Sequence, residues 1–302
     1  MGAVDWGGTW IRVALVVGGT IAHRERHRRP EPLAAQYDLI ATVLRDSAAA
    51  VGAEPAAVGV AIAGIVQGDT VASAVNLGIR RPTPVGAELR ARLRPAEVLV
   101  VNDTQAAAAA LAPRWPDELI AVISMGTGLG GAVLDRGRLL LGRGAAGDVG
   151  HSVVEVGGRA CACGGHGCLE GYASGRALAA AANVLAAGGR SPLLAARRRD
   201  RAVHAGDLDD AARAGDPHAR RALDDAADYL ATGIRNVVAQ LDPHRVALAG
   251  APLGPGTGFG QALRERWAAL RPPWSAVSIE HVVDDGDATL AGAAEAARTL
   301  VP

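Results

Sequence analysis

The N-terminal apolar positions alternate as strands do. Val4 leads into Asp5-Trp6-Gly7-Gly8-Thr9, and Ile11-Arg12-Val13-Ala14-Leu15-Val16-Val17 runs on to Gly18-Gly19. A Gly-Gly pair between two apolar runs predicts a hairpin, because the favoured two-residue turn needs positive φ. Residues 33–52 have a helical pattern. Val58–Ile62 reads as a short buried strand ending at Gly64, and Glu97–Val101 as another ending at Asn102-Asp103. An alanine-rich helix follows over Gln105–Leu111, and Pro113 and Pro116 then break the chain.

A second set begins with a strand over Leu119–Met125, a glycine loop over Gly126–Gly131 and a strand over Ala132–Asp135. Asp216-Pro217 opens the clearest helix, with Asp as cap and Pro at the first position. Leu223, Ala227, Leu230, Ile234, Val237 and Leu241 form one apolar stripe on it, and Pro243 stops it. Arg245–Ala249 reads as a strand ending in Gly250, and 288–300 as a last helix. Strands followed by strand–helix alternation thus occur twice, with glycine-rich turns at strand ends. This predicts two related α/β lobes with a cleft between them. The expected small lobe is 1–112, with a C-terminal helix at 288–302 packing on it; the large lobe is 113–287.

Composition narrows the chemistry. The chain has 302 residues, of which 49% are hydrophobic, enough for two α/β cores. No apolar run reaches the ~18 residues of a membrane span, and no basic-then-apolar leader opens the sequence. A soluble, cytoplasmic protein is expected. Basic and acidic residues balance at 31 each, so charge calls for neither nucleic acid nor membrane. Every basic residue is arginine. Without lysine there is no Walker-type P-loop, no protein-kinase site and no Schiff base.

Two segments suit phosphate. In Asp5-x-Gly7-Gly8-Thr9 the glycines let backbone N–H groups approach a polyphosphate, Thr9 adds a hydroxyl, and Asp5 suits magnesium held through water. Gly126–Gly131 is a second loop of that kind. Cys161, Cys163 and Cys168 lie within eight residues, an odd count that points to metal rather than disulfides. His151 or His166 supplies a fourth ligand for a closed Cys3His zinc site. His151 is favoured, because Gly150-His151 reads as the start of a strand, whereas His166 sits in a loop.

Taken together, Asp5-x-Gly-Gly-Thr, Asn102-Asp103, Gly126-Thr-Gly-x-Gly-Gly, Gly150-His151 and Cys161-x-Cys-Gly-x-x-Gly-Cys168-x-Glu170 resemble the ROK sugar kinases. These are glucokinase-like members of the actin/hexokinase superfamily. The resemblance covers nearly the whole chain. It implies two ribonuclease-H-like (actin-like ATPase) lobes, ATP with Mg2+ and a structural Zn2+. It also implies phosphorylation of a hexose at its primary hydroxyl, and a homodimer. Asp103 matches the residue that accepts the sugar hydroxyl proton. Asn102, Asp148, His151 and Glu170 match sugar-binding positions, His151 while also ligating zinc, and Gly64 and Asn76 match small-lobe sugar contacts. Gly7, Gly8, Thr9, Thr127 and Gly128 match ATP phosphate contacts, and Gly250 and Ala251 lie where the family binds near adenosine. A lone carboxylate after a strand fits the chemistry on its own terms, since phosphoryl transfer needs mainly positioning and one proton acceptor.

Three departures matter. Asp148 stands where a glutamate is usual, about 1.5 Å shorter by ordinary bond lengths. Ile79-Arg80-Arg81 replaces an aromatic after Asn-Leu-Gly, and Gly250-Ala251-Pro252 replaces a glycine triplet. The first two leave room for an amino sugar (kanosamine-like) or a cyclitol. A catalytically inactive sugar-binding protein is the alternative from another class, but Asp5, Thr9, Asp103 and Thr127 are all present. A ROK-type repressor carries a helix-turn-helix before the phosphate motif, and Asp5 leaves no room for one. The basic stretch His23–Arg29 reads as a solvated strand edge, Arg197–Arg201 as an exposed loop, and Trp267 and Trp274 as core or lobe-interface groups.

Overall fold

In the computed structural model, which describes residues 1–283 and 286–301, the N-terminal alternation folds as β1 (Gly2–Trp6), β2 (Trp10–Val17) and β3 (Thr20–Arg28). Gly18 and Gly19 turn the β2–β3 hairpin at φ +58° and +83°. Next come α1 (Leu33–Val51), β4 (Ala57–Ile62), the small hairpin β5 (Ile65–Gln67) and β6 (Thr70–Ser73), α2 (Val85–Arg92), β7 (Glu97–Asn102) and α3 (Asp103–Ala109). The second half holds β8 (Leu119–Met125), β9 (Leu129–Asp135), β10 (Arg138–Leu139), α4 (Gly175–Ala187), α5 (Pro192–Asp200) and α6 (Ala205–Arg213). It continues with α7 (Pro217–Leu241), β11 (Arg245–Ala249), α8 (Gly258–Leu270), β12 (Ser278–Val282) and α9 (Ala288–Ala297).

Two five-stranded sheets repeat one topology. The first has the order β3-β2-β1-β4-β7 and the second β10-β9-β8-β11-β12. In each, the first strand has its antiparallel follower on one side and a parallel strand on the other. In the first sheet β4 pairs parallel with β1 and β7, and all its residues are buried, which explains its unbroken apolar run.

The chain divides into two compact units. One comprises Met1–Leu119, Ala132–Gly147 and the C-terminal segment; the other comprises Ile120–Gly131 and Asp148–Val283. In the first, α9 lies directly on β4 and α3. A Cβ at Gly59 would fall 1.8 Å from the Ala293 carbonyl oxygen, and one at Gly292 would fall 1.7 Å from that of Ala106. No side chain fits at either crossing. The core of the second unit gathers around α7, which is capped by Asp216 through the N–H groups of His218 and Ala219. Its buried row runs Leu223, Ala227, Leu230, Ile234 and then Val238 rather than Val237, as the helical period drifts.

Four sequence expectations fail. The second glycine loop stops at Gly128, because Leu129 already pairs in β9. Gly150-His151 lies in a 3-10 turn over Val149–His151, not a strand. Arg197–Asp200 close α5, where Arg197 and Arg201 pair with Asp207, and Arg197 also pairs with Asp210. Trp267 is core, but Trp274 is 61% exposed.

Candidate functional site

In the first unit the expected residues collect at the ends of the parallel strands. Gly7-Gly8-Thr9 joins β1 to β2, and the Gly7 N–H donates to the Trp10 carbonyl at 3.0 Å. Gly8 packs on Asn76, which stands exposed on a 3-10 turn over Val75–Leu77; a Cβ at Gly8 would lie 3.1 Å from that of Asn76. Thr9 is exposed. Asp5 is opposite Arg12 in the β1–β2 register, and Arg12 Nη2 reaches its carboxylate at 2.6 Å. That carboxylate is therefore already partly neutralised, as suits contact with a hydrated cation better than direct ligation.

Ile62 and Asn102 are partners across β4 and β7, which brings Gly64 beside Asn102. Asn102 Nδ2 donates to the Gly64 carbonyl at 3.0 Å. Its Oδ1 accepts from Thr104 N at 2.8 Å while Gln105 Oε1 accepts from Asn102 N, a complete capping box for α3. Asp103 is the first residue of that helix and is half-buried. Burial holds its carboxyl above the usual range and the Asp5 charge adds to this, against the pull of the Thr104 N–H. A carboxylate with a raised proton affinity at a strand end suits a general base.

In the second unit, the Gly126–Gly128 loop is held from below by the start of α4. Gly175 N and Arg176 N donate to the carbonyls of Gly126 and Thr127 at 3.1 and 2.9 Å. Thr127 is exposed on this loop. Gly128 abuts Glu170, where a Cβ would meet Oε2 at 2.5 Å. Glu170 accepts from Leu129 N at 3.0 Å and from Arg176 Nη2 at 2.6 Å. Gly250 has φ +109° and leaves only 2.1 Å between a Cβ and the Met125 carbonyl, so no other residue fits. Ala251 is exposed just beyond it.

The sulfur cluster assembles without a bridge. His151, Cys161, Cys163 and Cys168 each offer a ligand atom, all within 4.8 Å of one another. Cys163 Sγ lies 3.7 Å from Cys168 Sγ, and Cys161 Sγ lies 3.7 Å from His151 Nδ1. Donors on a tetrahedron of ~2.3 Å zinc–sulfur bonds stand about 3.8 Å apart, so the set fits zinc. With no cation, burial, helped by the neighbouring thiols, pushes the Cys168 thiol up to about 12. Three thiolates at this spacing need a positive charge among them. His166 is exposed and outside the set. Gly150 fixes the turn that aims His151, since a Cβ there would meet the Leu129 carbonyl at 1.9 Å. His151 Nε2 faces away from the sulfurs, 4.0 Å from Asp148 Oδ2. Burial raises the Asp148 carboxyl, with His151 lowering it and Glu170 raising it. Tyr229 donates to Glu155 at 2.7 Å and Tyr172 accepts from Arg159 N at 2.7 Å, pinning the cysteine loop against α7.

Arg176 belongs to no motif, and Arg29 closes the basic stretch that reads from sequence as a solvated strand edge, yet it is half-buried. The role of each is found only through its partner, Glu170 for the first and the Gly8 carbonyl for the second.

The ROK family sequence model matches residues 1–298. The chain belongs to the ROK family. It is similar to a glucokinase of Aeropyrum pernix, 34% identical over 300 residues, covering 90% of this chain and 88% of that one. It is also similar to an N-acetylmannosamine kinase of Salmonella typhimurium, 32% identical, with 87% and 86% covered. A ROK hexokinase from Thermus thermophilus superposes with TM-score 0.86 at 28% identity over 99% of this chain and 98% of that one. A ROK glucokinase from Streptomyces griseus, solved with glucose and AMPPNP, superposes with TM-score 0.76 at 28% identity over 99% of each chain. The α/β fold is that of the actin-like ATPases, and this ROK protein is an ATP-dependent sugar kinase. No described helix is long and apolar enough to cross a membrane.

Proposed function

We propose that this kinase phosphorylates the primary hydroxyl of a hexose, with Asp103 as general base. The observation that carries the proposal is a half-buried carboxylate of raised proton affinity on the first turn of α3, beside Asp5. Asp103 takes the hydroxyl proton as the sugar oxygen bonds to the γ-phosphorus, and the bond from that phosphorus to the ADP oxygen breaks. Gly7, Gly8, Thr9, Thr127 and Gly128 hold the phosphates. Asn76, Gly64, Asn102, Glu170 and His151 Nε2 hold sugar hydroxyls, and Gly250-Ala251 lies near adenosine. Asp5 would hold magnesium through water, where the ion would shield the phosphate charge. His151, Cys161, Cys163 and Cys168 would hold zinc, which would order the loop that presents His151 and Glu170.

A coupled ATPase assay over hexoses, amino hexoses and cyclitols tests this reading, with turnover lost in Asp103→Asn. Retention of more than a tenth of wild-type turnover in that variant overturns the assignment. The homodimer and cytoplasmic location expected from the resemblance belong to the same reading; light scattering checks the dimer.

A second reading, an amino sugar as acceptor, is favoured by Asp148. Its short carboxylate leaves space near the sugar ring and suits an ammonium group, and a site of matched polar groups rejects substrates that leave them unpaired. Asp148→Glu then shifts kcat/KM toward glucose over an amino hexose by about tenfold, ~1.4 kcal/mol. Strong glucose preference in the wild type, with mere loss of activity in Asp148→Glu, removes the reading.

A further inference from the structure

We propose that Arg29 is a phosphate-binding cation of the nucleotide site, in a role that a kinase with lysine would give to that residue. The inference rests on the reading of Gly7-Gly8-Thr9 as a phosphate loop.

Arg29 follows β3 and closes the hairpin onto the loop: its N–H donates to the Thr9 carbonyl at 2.9 Å. Its side chain returns to the same loop, with Nε donating to the Gly8 carbonyl at 2.6 Å. The side chain is half-buried, and its two terminal nitrogens have no hydrogen-bond or ion-pair partner among the described residues. Those nitrogens are about 2.3 Å from Nε in the rigid fork, so they lie within about 5 Å of the Gly8 oxygen.

Three of the neighbouring arginines are committed elsewhere: Arg12 pairs with Asp5, Arg24 pairs with Asp287, and Arg26 stacks over Trp10 at 3.9 Å. Arg28 is exposed at the end of β3, opposite Trp10 in the register, with no side-chain contact to the glycine loop among the described residues. Arg29 alone among these five combines contact with the glycine loop and a free charged end.

The chemistry requires such a group. A carbonyl in a phosphate loop presents negative density to an anion, and Nε of Arg29 occupies that of Gly8. The remaining N–H fork is matched to phosphate oxygens, and a guanidinium stays charged at every working pH. The chain has no lysine, so backbone N–H groups, magnesium and arginine are the means left to balance the charge of ATP.

The test compares Arg29→Gln, Arg29→Lys and Thr9→Ala with wild type, with ATP varied at saturating sugar and sugar varied at saturating ATP. ADP and adenosine serve as competing ligands. Arg29→Gln is expected to lower kcat/KM for ATP at least 30-fold and to weaken ADP about as much. Adenosine binding and the KM for sugar should stay within about twofold, and Arg29→Lys should recover part of the loss. Near wild-type kinetics in Arg29→Gln, with Thr9→Ala impaired, overturns the proposal. Wild-type behaviour in both Arg29→Gln and Thr9→Ala removes the phosphate-loop reading and the proposal with it. Equal impairment of the Gln and Lys variants, with adenosine also weakened, assigns Arg29 to loop shape and likewise overturns it.

Discussion

Asn102 Nδ2 donates to the carbonyl of Gly64 at 3.0 Å, while Oδ1 of the same side chain caps α3 through Thr104 N. One amide therefore ties the end of β4 to the helix turn that carries Asp103. Asn102→Ala removes the cap and leaves the Gly64 carbonyl without this donor. A loss of about 1–2 kcal/mol in urea unfolding is expected. kcat/KM should fall by at least about tenfold, because Asp103 loses its fixed start to the helix. Unchanged unfolding would show that the tie contributes nothing.

Asp103 should be costly to stability as well as needed for turnover. Its folded-state proton affinity is raised, chiefly by burial. The folded protein thus binds this proton more tightly than the unfolded chain, and the resulting stabilisation is present at low pH and lost as pH rises through the raised value. Asp103→Asn is expected to cut kcat by at least about a thousandfold, keep the sugar Kd within about tenfold and raise Tm at pH 7. In the wild type, the acid limb of kcat/KM should lie above the range of an exposed carboxylate. A lower Tm in Asp103→Asn contradicts the pKa direction.

Zinc should be present at one ion per chain. Elemental analysis of purified protein checks this directly. Cys163→Ser is expected to lose zinc, lower Tm and weaken sugar binding together, since the set that holds His151 is then incomplete. Full activity in zinc-free protein would separate the cluster from function.

Asp207 is nearly fully buried and accepts from Arg201, Arg197 and the His204 N–H. The Arg201 pair above all holds its carboxyl far below the usual range. The stability it contributes is present above the unfolded pKa and lost as pH falls through the folded one. Asp207→Ala should cost about 1–2 kcal/mol, because α6 loses the capping contact at His204 N and two solvent-exposed arginines lose a partner. Turnover of the folded fraction should be unchanged, as checked by urea unfolding beside a kinetic assay.

What the sequence disclosed follows from how local each signal is. Strands with long apolar runs, such as β4 and β8, and the Asp216-Pro217 start of α7 were legible because pattern and cap lie within a few residues. The cysteines were legible for the same reason. Arg197–Arg201 reads as loop because it is a run of charges, and what holds the end of α5 in place is a partner, Asp207, beyond the helix. The turn at His151 was read as a strand because the constraint on Gly150 is the Leu129 carbonyl, some twenty residues away. Arg176 stands in no motif, and Arg29 reads only as the end of a basic strand edge, because the significance of each is a contact, and a sequence displays contacts only when they repeat as motifs.

The glycine crossings of α9 carry a consequence for biosynthesis. Ala3, Ala14, Ala61 and Val101 of the sheet and Ala106 of α3 share one buried cluster with Leu290, Ala293 and Ala294. On the ribosome these strands emerge well before the helix that covers one of their faces, which follows only after the whole second unit has been made. Until then an alanine- and valine-lined sheet face is open, and it is the surface a nascent-chain chaperone would meet.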